Sequence, residues 1–331
     1  MKALVQTAVE TFAYRDEPMP VPRDGEVLVR IEASGICGSD MHAFLGHDER
    51  RPTPLVLGHE AAGTTPDGRR VTINPLVTCG TCRACQAGRD NLCPDRQIIS
   101  MPPRAGAFAQ YVAMPKSNLI DVPDDVPLAK AALAEPIACG WHTVRLGRNI
   151  LGTELAGLPC IVIGGGAIGV GAALSLRAQG ADDVTVLEPN ALRRDAIASI
   201  DGFRAIQPKD AQDGMAALVI DGVGYGATRA QASRLVRPGG VIAHIGLGDA
   251  EPGLDVRRMT LQEIAFIGTY TYTAQDFRDT AAAIFDGRLG ALDWTERRPL
   301  SQGAQAFADI RAGRVAAPKI ILEPYNEEDV A

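Results

Sequence analysis

Apolar and polar positions alternate along 27–33, where Val27, Val29, Ile31 and Ala33 are separated by Leu28, Arg30 and Glu32. That is close to the period of a half-buried strand. Pro and Gly punctuate the surrounding chain at Pro18, Pro20, Pro22, Gly25, Gly35, Gly38, Pro52 and Pro54, so the first third reads as β-rich. From about residue 160 the rhythm changes. Short apolar runs occupy 160–163, 184–187, 217–220, 241–245 and 264–267, with helix-like segments at 167–179, 191–199 and 226–236 between several of them. Such alternation predicts a parallel sheet covered on both faces. Two more helices are predicted at 274–286 and 301–312, the second capped by Ser301 and ended by Gly313.

The chain has 331 residues, which suits two domains of roughly 150 residues each. With 33 Lys+Arg against 40 Asp+Glu the formal charge is −7, which disfavours non-specific binding to nucleic acid or anionic lipid. Hydrophobic residues at 46 % and charged residues at 22 % exclude disorder as the main state. The N-terminal segment has no apolar run of signal-peptide length, and the expected location is the cytoplasm. The uncharged stretch from Leu155 to Ser175 contains one Pro and six Gly, and reads as a strand, a turn and a helix in preference to a membrane span.

Gly164, Gly166 and Gly169 form a G-x-G-x-x-G turn between the strand at 160–163 and the following helix, which begins with Ala167 and Ile168. The first glycine permits the tight turn, the second lets pyrophosphate approach, and the third lets helix and strand pack closely. The helix N-terminus offers N–H groups to the phosphates. Glu188 follows 22 residues after Gly166, at the end of the next strand, where an acid binds the adenosine ribose hydroxyls. It favours NAD, because it would repel the 2′-phosphate of NADP. Arg193 and Arg194 come next and either flank the adenine or lie in solvent.

Seven cysteines are present, and four of them, Cys79, Cys82, Cys85 and Cys93, fall within fifteen residues. Soft ligands at that spacing predict a closed tetrahedral structural zinc site. A zinc ribbon on nucleic acid is the rival reading, and Asp90 and Asp95 among Arg83, Arg89 and Arg96 argue against it. A second set is dispersed: Cys37 to His42, then Gly58-His59-Glu60, then Glu135-Pro136. Taken singly, each has an ordinary explanation in packing or capping.

In this order, Cys37-Gly38-Ser39-Asp40, Gly58-His59-Glu60, the four-Cys loop and the glycine fingerprint resemble the zinc-dependent medium-chain alcohol dehydrogenases. The likeness runs from about residue 1 to Pro324. Glu135-Pro136 is similar to the polyol and threonine dehydrogenase branch, where a Glu replaces a third metal-ligand Cys. The resemblance implies an α/β chain: a GroES-like β-rich catalytic domain over 1–139 and 273–331, and a Rossmann doubly wound parallel sheet over 140–272, with the active site in the cleft between them.

It also implies two zinc ions per chain, NAD, a small-molecule alcohol or polyol as substrate, and a homo-oligomer, dimer or tetramer. The catalytic zinc takes Cys37, His59 and a carboxylate, for which Glu60 and Glu135 compete. Cys139 stands four residues past the ligand position and is assigned to packing. Asp40 orients His59, and Ser39 accepts the substrate hydroxyl's proton and passes it through the ribose towards His42. His47 is placed in a polar loop, GHDERR. His142 and His244 are placed in core or cofactor-cleft surroundings, and Phe108, Tyr270 and Tyr272 in packing or the pocket wall. Two departures from the family stand out: a short 63–68 loop, and Gln262 where many sugar-alcohol members carry Arg. A threonine-type amino-alcohol dehydrogenase and a non-catalytic NAD-binding protein are the alternatives.

Overall fold

The computed structural model describes residues 1–200 and 203–325. Residues 326–331, inside the expected catalytic domain, lie outside the described residues. Through the first part of the chain the main elements are β1 (Glu26–Gly35), α1 (Gly38–Phe44), β2 (Glu60–Thr64), β3 (Arg70–Ile73), β4 (Tyr111–Pro115), β5 (Leu119–Asp121) and α2 (Ala134–Leu151). Next come β6 (Pro159–Ile163), α3 (Ala167–Ala178), β7 (Asp183–Leu187), α4 (Ala191–Ala198), β8 (Arg204–Ile206), β9 (Ala216–Asp221), α5 (Gly226–Leu235), β10 (Val236–His244) and β11 (Ala265–Gly268). The chain then forms α6 (Ala274–Phe285), β12 (Thr295–Pro299), α7 (Gly303–Arg311) and β13 (Lys319–Glu323). They divide between two compact units. One holds Met1–Glu135, Phe277–Asp286 and the chain from Thr295 onward; the other holds Pro136–Asp276 and Gly287–Trp294.

The first unit is β-rich, as the alternation predicts. Its larger sheet runs β5-β3-β2-β1-β13-β12, with β4 also paired to β1. Val29, Ile31 and Ala33 of β1 are buried, while Arg30 and Glu32 between them are half-buried. Val29 and Ile31 pack with Ala61, Val71, Ile73, Val112 and Met114 in one apolar cluster. Register brings distant segments together: Gly35 of β1 pairs with Glu60 of β2 on one side and Ile321 of β13 on the other.

The second unit is built on a fully parallel six-stranded sheet, β8-β7-β6-β9-β10-β11. Helices on both faces explain why its strands read as continuous apolar runs, and β9 is buried along its whole length. From β6 the chain winds out through β7 and β8, then returns to β9 and continues the other way. The switch between β6 and β9 opens the crevice where such sheets bind dinucleotides.

The five apolar runs all became strands. The edge strand β8 was not anticipated, because three residues, one of them Arg204, carry too little pattern. Ser301 does not cap the last helix. It sits in a 3-10 turn, Leu300–Gln302, and the cap position is Gln302. Gly313 does end that helix, with a φ of 67°. Among the described residues, no helix is long and apolar enough to cross a membrane.

Candidate metal and dinucleotide sites

The four clustered cysteines fold into a lobe of a one-turn helix, Arg83–Gln86, and a 3-10 turn, Asp90–Leu92. Their sulfurs stand 3.5 Å apart for Cys82–Cys85, 3.5 Å for Cys93–Cys79 and 4.0 Å for Cys79–Cys85. A tetrahedron with zinc–sulfur bonds of about 2.3 Å has edges of about 3.8 Å, so the spacing fits one zinc ion. Backbone N–H groups of Thr81 and Cys82 draw the Cys79 thiol down to about 6, whereas burial and the neighbouring Cys82 push Cys85 up to about 12. Four sulfurs so close together suit a shared cation better than four independent thiols.

Cys37, His59 and Glu60 form a second group, each offering a ligand atom within 4.8 Å of the others. Cys37 caps α1, and Asp40, three residues on, accepts the Cys37 backbone N–H at 3.0 Å. The other oxygen of Asp40 accepts the Gly58 N–H at 3.3 Å and faces His59 Nδ1 at 3.4 Å. Asp40 therefore ties the two ligand-bearing loops to one carboxylate, and His59 Nε2 remains for a metal. Burial opposes charge on the His59 ring, but Asp40 and Cys37 hold its pKa well above the ordinary histidine value.

Glu60 is fully buried, and its carboxylate is matched by a residue the sequence reading missed. Lys319 of β13 donates to both Glu60 oxygens at 2.6 Å and to the Ile36 carbonyl at 2.7 Å. Gly35 makes room for it, since a Cβ there would stand 2.0 Å from Glu60 Oε2. Burial would lower the Lys319 pKa, yet the charges of Glu60, Cys37 and Glu135 raise it. Glu135, buried in the first turn of α2, stands outside the group formed by Cys37, His59 and Glu60. Cys139 belongs to no metal-binding group among the described residues and is buried in α2.

Ser39 and His42 are three residues apart on α1 and share a helix face, each half-buried. His47 is exposed, its ring 6.3 Å from that of His42. The polar loop around it is not wholly solvated. Arg51 is buried, donating to the Ser39 carbonyl at 2.6 Å and to Ser100 Oγ at 3.3 Å. Ser100 in turn lies 3.4 Å from His59 Nδ1. Phe108 packs edge-on against Phe307 in the core.

In the second unit the glycines take distinct roles. Gly164 has a φ of 100°, and a Cβ on Gly169 would lie 1.9 Å from the Gly164 carbonyl, so neither tolerates a side chain. A Cβ on Gly166 would meet no protein atom within 4 Å, and Gly166 begins α3 with Ala167 and Ile168 just inside it. That open approach to a helix N-terminus fits a pyrophosphate. Because β7 lies beside β6, Glu188 reaches the glycine turn. Its carboxylate accepts the Gly165 N–H at 2.9 Å and the Asn190 N–H at 2.8 Å. Arg193 stands 3.7 Å from that carboxylate, and its Nε is shielded and unpartnered. Arg194 is bound to the Glu188 and Pro189 carbonyls at 2.9 and 2.7 Å.

His142 and His244 each face a carboxylate. His142 Nδ1 lies 2.8 Å from Asp276, which also accepts from Arg145. His244 stands between Asp221 and Arg229, and burial lowers its pKa despite Asp221. Tyr272 is buried, and Tyr270 is half-buried.

Two family models match the chain: an alcohol dehydrogenase GroES-like domain over residues 23–124, and a zinc-binding dehydrogenase domain over residues 167–286. A sorbitol dehydrogenase of Bacillus subtilis is 33 % identical, the alignment covering 82 % of each chain. An L-threonine 3-dehydrogenase of Anaeromyxobacter dehalogenans is 29 % identical over 98 % of this chain and 99 % of its own. A crystal structure of a zinc-binding dehydrogenase from Sinorhizobium meliloti, bound to NADP, superposes with a TM-score of 0.87 at 26 % identity, covering 98 % of this chain and 99 % of that one. The chain belongs to the zinc-dependent medium-chain alcohol dehydrogenase family, in its polyol dehydrogenase branch. It is a zinc-dependent, nicotinamide-linked oxidoreductase with a GroES-like domain and a Rossmann sheet.

Proposed function

We propose that the chain oxidises a secondary alcohol or polyol with NAD, holding one catalytic and one structural zinc. The observation that carries this reading is the convergence of Cys37, His59 and Glu60 on one point, with Asp40 behind His59. Three protein donors of mixed hardness leave a fourth position for substrate oxygen. A zinc ion held there would supply Lewis acidity to the substrate hydroxyl, and a dinucleotide held at the glycine turn would supply the hydride acceptor.

The side chains have separable tasks. Asp40 would keep the proton of His59 on Nδ1, leaving Nε2 to bind a metal. Glu60, grouped with Cys37 and His59 and held by Lys319, would supply the third donor, with Glu135 the competing carboxylate. Ser39 accepts the substrate hydroxyl's hydrogen bond, and His42, on the same face of α1, passes the proton outward. Cys79, Cys82, Cys85 and Cys93 hold the second zinc and stabilise their lobe. Gly164, Gly166 and Gly169 cradle the pyrophosphate, Glu188 binds the adenosine ribose, and Arg193 flanks the adenine. A cytoplasmic homo-oligomer accompanies this reading as an expectation of the family likeness.

Retention of a complete open metal group argues against a non-catalytic NAD-binding protein. Formation of reduced nicotinamide across a panel of polyols, secondary alcohols and threonine, with and without a chelator, tests the proposal. Turnover of a polyol or secondary alcohol that chelation abolishes is the expected result. Turnover of threonine alone would move the chain to the amino-alcohol reading.

A further inference from the structure

Ser100 follows the short strand Gln97–Ile98, which pairs with Leu76–Val77 across the four-Cys segment. It is fully buried and has a φ of 71°, left-handed backbone that favours glycine. A strained residue persists where its surroundings hold it there, and such residues gather at functional sites. Here the side chain has two partners. Arg51 donates from Nη2 to Ser100 Oγ at 3.3 Å, and His59 Nδ1 stands 3.4 Å from the same oxygen. Arg51 is itself buried, and its Nη1 donates to the Ser39 carbonyl at 2.6 Å. Its Nε is shielded and unpartnered, so burying this guanidinium costs stability as well.

Two oxygens thus converge on His59 Nδ1: Asp40 Oδ1 and Ser100 Oγ, each at 3.4 Å. They are borne on separate segments, so together they restrain the ring more than either would alone. The Ser100 oxygen has two lone pairs and can accept from Arg51 and from a protonated Nδ1 at once. The two arms differ in charge. Asp40 is an anion, whereas Ser100 is backed by the Arg51 cation. The second arm therefore fixes the ring without adding negative charge beside Cys37 and Glu60. We propose that Ser100 is a positioning residue: held by Arg51, its hydroxyl sets the His59 ring so that Nε2 meets a metal shared with Cys37. The inference rests on the metal-centre reading above.

Ser100→Gly in the full chain tests it, because the change removes the hydroxyl and relieves the left-handed strain together. The melting temperature should stay close to that of the wild type. Chelator titration should show the catalytic zinc held about tenfold less tightly, with the four-Cys zinc unchanged. Cobalt placed at the Cys37 group should show shifted visible bands, since these follow ligand geometry, and kcat should fall with little change in KM. Arg51→Met should reproduce these losses, and the double variant should add little to them, because the two residues form one arm. If Arg51→Met fails to fold, Ser100→Ala takes its place: it lacks the hydroxyl but keeps the strain, so metal losses equal to those of Ser100→Gly at a lower stability place the effect on the hydroxyl. Unchanged zinc affinity and cobalt bands in Ser100→Gly, or metal loss confined to the less stable Ser100→Ala, would overturn the proposal. A wild type that takes up no metal at the Cys37 group would instead sink the metal-centre reading on which it depends.

Discussion

The Lys319 ammonium sits 2.6 Å from both carboxylate oxygens of Glu60, although 259 positions separate the two residues in sequence. Both are buried, and the pair lies beside the Cys37 and His59 donors. The fixed Lys319 ammonium balances the buried Glu60 carboxylate in the same group as Cys37 and His59. Lys319→Met should therefore leave an unpaired buried charge and destabilise the protein by about 3 kcal/mol or more. Glu60→Gln introduced with it should recover most of that loss. Denaturant titration of the two variants checks this, and equal stabilities would remove the pair from the account.

The four-Cys lobe makes a separate prediction about metal content. Purified protein should carry two zinc ions per chain by elemental analysis. Cys82→Ala should lose one of them and fold poorly, because a structural zinc contributes folding free energy. One zinc per chain in the wild type would refute the two-site assignment.

If Glu188 binds the adenosine ribose as proposed, cofactor choice depends on it. Glu188→Ser removes the charge that repels a 2′-phosphate, so the preference for NAD over NADP should shrink. The same carboxylate holds the Gly165 and Asn190 N–H groups, so NAD efficiency should fall as well, by about tenfold. Steady-state kinetics with both cofactors decides, and a wild type that already prefers NADP would contradict the ribose assignment.

Asp276 links stability to pH. Burial raises its carboxyl pKa, but His142, Arg145 and Thr273 outweigh burial and hold it well below the usual range. A depressed folded pKa gives stability that is fully present above the unfolded value of about 4 and is lost as pH falls through the folded one. Asp276→Asn should thus cost stability at neutral pH and flatten the stability curve below about pH 4. Melting temperatures across that range report it, and parallel curves for variant and wild type would disprove the linkage.

How far the site was legible follows from how local each signal is. The glycine fingerprint, Glu188 and the four-Cys lobe are short-range patterns; the four sulfurs gather in one lobe, and Glu188 reaches the glycine turn. The parallel sheet was legible because strands covered on both faces leave long apolar runs. Lys319 was not legible, since only the register Glu60–Gly35–Ile321 brings β13 beside the ligands. Arg51 was hidden in a charged loop that reads as solvated, while its guanidinium in fact binds Ser39 and Ser100. The clamp from Asp276 to His142 spans 134 positions and leaves no periodic trace. Ser301 misled as a cap because a 3-10 turn delays the start of α7.

The proposed role of Cys37 in a metal centre for alcohol oxidation is open to direct measurement. Turnover of the best alcohol or polyol and NADH affinity should be measured side by side in wild type and Cys37→Ser. The variant should keep its fold and its NADH affinity, lose one zinc, and lose turnover by ~100-fold or more, at or beyond the upper end of what losing a supporting group costs. Undiminished turnover in Cys37→Ser, or NADH binding with no alcohol oxidised by the zinc-loaded wild type, would contradict it.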